Sequence, residues 1–111
     1  MSSLSLEIDV ESVANLRREK ADFLLLDVRE ESEYELASIQ GSLLIPMSQL
    51  GLRIAELEDH RDRHIVVHCH HGVRSLQVAD ALRANGFSKV QSMGGGIDQW
   101  SLCVDDAVPR Y

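Results

Sequence analysis

Basic residues are in short supply in this 111-residue sequence: 11 Lys and Arg stand against 18 Asp and Glu, a formal net charge of −7. Such a chain lacks the basic face that nonspecific nucleic-acid or anionic-membrane binding needs, so neither partner is expected. Cysteine is nearly absent. Cys69 and Cys103, the only two, are too few and too far apart for a disulfide framework or a paired-cysteine zinc knuckle, and a reducing, cytoplasmic setting is expected. No apolar run approaches the roughly 18 residues of a membrane span. Met1 to Val10 also lacks the basic start and apolar core of an export signal. Low-complexity tracts, linkers and repeats are missing as well.

What is present suits one compact unit over residues 1–111. An apolar content of 44% is ordinary for a soluble domain, and a chain this long buries roughly 65% of its unfolded surface, so neither metal nor disulfide is needed for folding. Short apolar runs alternate with amphipathic stretches of helix length, the pattern of an α/β domain with a largely parallel, buried sheet. The strand-like runs are Leu6 to Ile8, Phe23 to Leu26, Leu43 to Ile45, Ile65 to Val67 and Val90 to Met93. Asp9 is placed to cap a helix running through Lys20, and Ser48 one carrying Leu50, Ile54 and Leu57 on a stripe. The clearest helix spans Ser75 to Asn85, with Gly86 as a left-handed cap and Phe87 behind it.

All five histidines, at positions 60, 64, 68, 70 and 71, lie in the stretch that runs against the acidic trend. Residues 60–79 hold Arg61, Arg63 and Arg74 against Asp62 alone, +2 locally, which suits a segment that tolerates or attracts anions. Within it, the run Ile65 to His68 delivers Cys69 to the carboxyl end of a strand, where parallel α/β sheets bind ligands. A six-residue crossing loop of Cys69, His70, His71, Gly72, Val73 and Arg74 is expected before the helix resumes near Ser75. Such a loop turns backbone N–H groups and the positive end of the helix toward the thiol, which favours the thiolate near neutral pH. Gly72 permits a positive φ or the close approach of an anion. Arg74 is placed to bond loop carbonyls or to hold an oxyanion in its planar fork.

Loop size separates two chemistries. Cysteine phosphatases place one more residue between Cys and Arg, a wider cradle for a phosphoryl group; the tighter ring here suits a single added sulfur atom. The sequence resembles the single-domain rhodaneses, a sulfurtransferase family, over nearly its whole length. Leu24 to Arg29 with Glu30 to Glu35 resembles the family's first signature, Cys69 to Ser75 its active loop, and Gly94 to Trp100 its closing signature. The resemblance implies a single rhodanese-like domain with a central, mostly parallel five-stranded sheet flanked by helices on both faces.

It also implies a reaction. The Cys69 thiolate takes sulfane sulfur from a small sulfur-containing anion such as thiosulfate, or from a persulfide donor, and passes it as a persulfide to cyanide or a thiol. An acceptor protein is one conceivable recipient. The loop amides of His70, His71, Gly72, Val73 and Arg74 bind and stabilise the persulfide, with no metal and no organic cofactor. Asp27 and Arg29 end the second strand at the same sheet edge; they either brace the loop or form an ordinary exposed ion pair. The pattern departs from the family's at His70, where a basic or amide residue is frequent, and at Ala37 to Ser42, where a His-Ile-Pro-Gly-Ala segment is frequent. A neutral His70 draws thiosulfate less than Arg would, so the rate is expected to rise as pH falls below about 6.5.

Other readings compete. His68, Cys69, His70 and His71 are contiguous, but successive strand residues face opposite ways and zinc ligands are usually spaced, so no metal site is expected. His60 and His64 read as solvated residues before a strand, and His68 as a hydrogen-bonded strand end. The run Glu30, Glu31, Glu33 and Glu35 reads as the exposed face of a short helix around Tyr34. Gly94 to Gly96 permit tight packing of the last helix, Trp100 is core, and Cys103 has no role. A docking or sulfur-relay module and a phosphatase or arsenate reductase stay open.

Overall fold

The computed structural model describes residues 4–111. Five strands, β1 (Glu7–Ile8), β2 (Phe23–Asp27), β3 (Leu43–Leu44), β4 (His64–His68) and β5 (Val90–Met93), form one sheet in the order β1-β5-β4-β2-β3. Every pairing is parallel, as the uninterrupted apolar runs predict for strands covered on both faces. After β2 the chain moves outward to β3, then returns to the other side of β2 as β4 and continues to β5. The carboxyl ends of β2 and β4 therefore flank the point where the winding reverses, the place where such sheets open a crevice.

Side-chain alternation divides the core between the two faces. Leu26, Ile65, Val67 and Val90 pack with Val78, Ala79 and Leu82 of α4 (Val73–Ala84) and with Leu57. On the other face Leu25, Val66 and Met93 meet Val13 of α1 (Val10–Arg18) and Ile97 and Trp100 of α5 (Gly96–Cys103). Trp100 is core, as expected. Ile65, Val66 and Val67 are all fully buried, so β4 is the central strand and the residue after it starts from a rigid base. No helix among the described residues is long and apolar enough to cross a membrane.

Three expected boundaries move. Asp9 does cap α1, its carboxylate accepting the Ser12 N–H at 2.8 Å, but the helix stops at Arg18 and not at Lys20. Lys20 takes the left-handed conformation, φ 55°, and the Ala21 N–H reaches back to the Leu16 carbonyl at 2.9 Å, a helix stop built without glycine. Ser48 caps nothing: its hydroxyl donates to the Glu30 carboxylate at 3.0 Å. That segment is a short α-helix, α3 (Leu50–Arg53), between 3₁₀ turns at Met47–Gln49 and Ile54–His60. The third shift, the start of α4 at Val73, reshapes the loop at Cys69. Its other end matches expectation, with Gly86 at φ 92° and the Phe87 N–H on the Leu82 carbonyl at 3.0 Å.

Candidate active site

Because α4 begins at Val73, the crossing loop is the four residues Cys69 to Gly72 and not six. Gly72 makes this possible. It is the residue before the helix and adopts φ 106°, a conformation side chains resist, and a Cβ there would lie 3.3 Å from the Gly95 nitrogen. The turn brings the sulfur over the amino end of α4. Cys69 Sγ accepts the N–H of Gly72 at 3.1 Å and that of Ser75 at 3.3 Å, with the Ser75 hydroxyl at 3.4 Å. Cys69 itself is 1% exposed. Oriented amides and the positive end of a 12-residue helix are an environment for negative sulfur.

The Gly94 to Gly96 run holds this loop from behind. The N–H groups of Ile97 and Asp98, in the first turn of α5, donate to the carbonyls of Cys69 and His70 at 2.9 and 3.1 Å. So close an approach leaves no room for a side chain: Gly96 sits at φ 60°, and a Cβ there would collide with both carbonyl oxygens. The expected tight packing is thus the docking of a helix end onto the reactive loop.

Asp27 and Arg29 are fully buried, not an exposed ion pair, and join through Arg29 Nη2 and Asp27 Oδ2 at 2.7 Å. Arg29 also donates to the Ala37 carbonyl at 2.8 Å and the Glu33 carbonyl at 3.3 Å. It thereby fixes α2 (Glu31–Leu36) beside the loop. From α2 the Glu33 carboxylate grips both terminal nitrogens of Arg74, at 2.6 and 2.8 Å. The fork of Arg74 is therefore filled by a carboxylate and by no loop carbonyl. The paired guanidinium of Arg74 holds Glu33 down at about 2, far below the usual carboxylate range. Glu33 thus lies beside the loop, paired with Arg74, whereas the acidic run reads from sequence as a solvated face.

The histidines scatter. His64 opens β4 at its amino end, where Nε2 lies 2.8 Å from the Gln91 side-chain oxygen, so it is not a loose solvated residue. His68 is fully buried and neither ring nitrogen has a hydrogen-bond partner, contrary to expectation; Nε2 lies 3.9 Å from Asp27. Burial pushes its titration down to about 4 and keeps it neutral. His70 is sandwiched between His71, ring centroids 3.9 Å apart, and Tyr111, at 4.0 Å and nearly parallel. His71 is exposed, 3.9 Å from the Asp98 carboxylate, and Val73 is exposed at the loop rim. Among the described residues no group of three or more His, Cys, Asp or Glu is placed to hold a metal.

Three further residues complete the site. The Tyr111 hydroxyl donates to Glu33 Oε2 at 2.8 Å and accepts from Arg29 at 2.9 Å, so its ring is locked over His70. Ser75 contacts the sulfur, and Ser92 of β5 contacts Ser75 at 2.7 Å. Ser75 was legible from its position in the first turn after the loop. Tyr111 and Ser92 carry no local signal.

Comparison with known proteins identifies the family to which this fold belongs. Residues 9–103 match the Rhodanese-like domain family. A protein of Allochromatium vinosum named Sulfurtransferase is 34% identical over 95 residues, 86% of this chain and 87% of that protein. The Rhodanese-like/PpiC domain-containing protein 12, chloroplastic, of Arabidopsis thaliana is 38% identical over 89 residues, 78% of this chain; the chain spans only 30% of that relative's length. The crystal structure of a rhodanese-related protein from Thermoplasma volcanium superposes with a TM-score of 0.75 at 31% identity, covering 95% of this chain and 96% of the other. With the family match spanning most of its length and the strand-loop-helix around Cys69 in place, the chain belongs to the rhodanese-like domain family.

Proposed function

We propose that the chain is a sulfurtransferase that carries sulfane sulfur as a persulfide on Cys69. The observation that supports this most is the sulfur's set of donors, the Gly72 and Ser75 amides at 3.1 and 3.3 Å, which stabilise an anion at Sγ. With thiosulfate, the thiolate attacks the outer sulfur: the Sγ–S bond forms, the S–S bond of the donor breaks, and sulfite leaves with the electron pair. An acceptor such as cyanide then attacks the outer sulfur and the Cys69 thiolate departs. Both steps are two-electron displacements at sulfur, so the cycle balances with donor and acceptor alone.

The charges around the loop bear on the donor. Glu33 neutralises Arg74 and Asp27 neutralises Arg29, so little net positive charge faces the loop. This favours a thiol persulfide over dianionic thiosulfate as the better donor.

Intact mass after incubation with thiosulfate or a glutathione persulfide tests the proposal. One added sulfur, about 32 Da, that cyanide removes and Cys69→Ser abolishes is expected. No added mass with either donor, or release of phosphate from an aryl phosphate in its place, overturns it.

A further inference from the structure

We propose that Ser92 is a positioning residue: from β5 beneath the loop, its hydroxyl donates to Ser75 and leaves the Ser75 proton free to serve the Cys69 sulfur. The two serine oxygens are 2.7 Å apart, and both residues are fully buried. Ser92 pairs in register with Val67, which puts its side chain on the α4 face of the sheet, under Cys69.

A count of protons fixes the direction of this bond. Each hydroxyl has one proton to give. Ser75 has the Gly72 carbonyl at 3.2 Å and the Cys69 sulfur at 3.4 Å as alternatives to Ser92. Ser92 has Ser75 as its one side-chain hydrogen-bond partner among the described residues. Were Ser75 to donate to Ser92, the buried Ser92 proton would have no acceptor, a costly arrangement. The reverse satisfies both protonation states of the cysteine. With a thiol, S–H donates to Ser75 and Ser75 donates to the Gly72 carbonyl. With a thiolate, the Ser75 proton swings to the sulfur and becomes a third donor beside the two amides. Ser92 polarises that hydroxyl and strengthens it as a donor.

The charged and titratable groups around the loop are Arg74 with Glu33 from α2, His70, His71, Tyr111, Asp98 from α5, Asp27 at the end of β2 with Arg29 just past it, and His68 at the end of β4. None of them hydrogen-bonds Ser92, so replacing Ser92 leaves their contacts in place. The proposal rests on Cys69 being the working thiolate of the reading above, but its test does not need sulfur transfer.

The test is titration of the thiolate by its ultraviolet absorbance, on the full chain with Cys103→Ser and with Cys69→Ser as the blank. Ser92→Ala is expected to move the midpoint up by about half a pH unit, a roughly threefold smaller thiolate-to-thiol ratio at any given pH. Ser92→Thr, which keeps the hydroxyl, is expected to restore it. In a Ser75→Ala background Ser92→Ala is expected to add nothing. An unmoved midpoint in Ser92→Ala, or a shift that persists without the Ser75 hydroxyl, overturns the proposal. A protein that shows these shifts yet takes up no sulfur would retain the Ser92 assignment and lose the proposed function.

Discussion

Glu33 and Arg74, 41 positions apart, form a two-point ion pair beside the reactive loop, at 2.6 and 2.8 Å. The pair ties α2 to the first turn of α4 and removes the free charge that an anionic donor would otherwise meet. Glu33→Gln leaves the guanidinium uncompensated, and the KM for thiosulfate is expected to fall several-fold, with a smaller change for a persulfide donor whose reacting end carries less negative charge. Steady-state kinetics with both donors check this; a KM for thiosulfate that stays constant or rises contradicts it.

The same pair makes stability acid-sensitive. Glu33 titrates at about 2 in the folded chain and near the ordinary glutamate value of about 4.3 when unfolded. Its contribution is therefore complete above that unfolded value and is lost as pH falls toward 2. Urea melts between pH 5 and 2 are expected to show a steeper decline for the parent than for Glu33→Gln. Parallel declines would contradict the assignment.

His68 produces a second pH dependence. Folded, it titrates at about 4 because burial opposes its charge; unfolded, at about 6.5. Between those values the unfolded chain binds the extra proton, so stability falls as pH drops from about 6.5 to about 4, by about 3 kcal/mol, and levels off below. His68→Gln is expected to flatten that segment of the curve. A segment of unchanged slope would mean that His68 takes up its proton in the folded state.

Gly96→Ala tests the back of the loop. Its Cβ would collide with the Cys69 and His70 carbonyls, so a loss of about 2 kcal/mol or more and slower sulfur uptake are expected. Gly51→Ala, with open space at its Cβ, serves as the neutral control. Equal melting of the two variants would show that α5 does not press on the loop.

How far the sequence reached is decided by range of interaction. The buried strands and the placement of Cys69 at a strand end were legible because Ile65, Val66 and Val67 are consecutive apolar residues ahead of a polar, glycine-containing stretch. The start of α4 was misplaced because Gly72 reads equally as mid-loop and as helix cap; only its φ of 106° decides. Lys20 ends a helix in a conformation that glycine usually signals. Ser48 has the composition of a cap, yet its hydroxyl serves Glu30, 18 positions away. The Glu33–Arg74 pair, the Tyr111 contacts and the Ser92–Ser75 bond join elements remote in sequence, and no local pattern announces them. Burial of the Asp27–Arg29 pair likewise follows from packing by α2 and Tyr111.

Peptide-level mass mapping after donor treatment is the most direct check on the persulfide at the centre of this account. Trypsin cutting after Arg63 and Arg74 releases His64–Arg74, which carries Cys69. An extra sulfur on that fragment, lost after cyanide, is the predicted result. Sulfur found only on the fragment carrying Cys103, or on none, would contradict it.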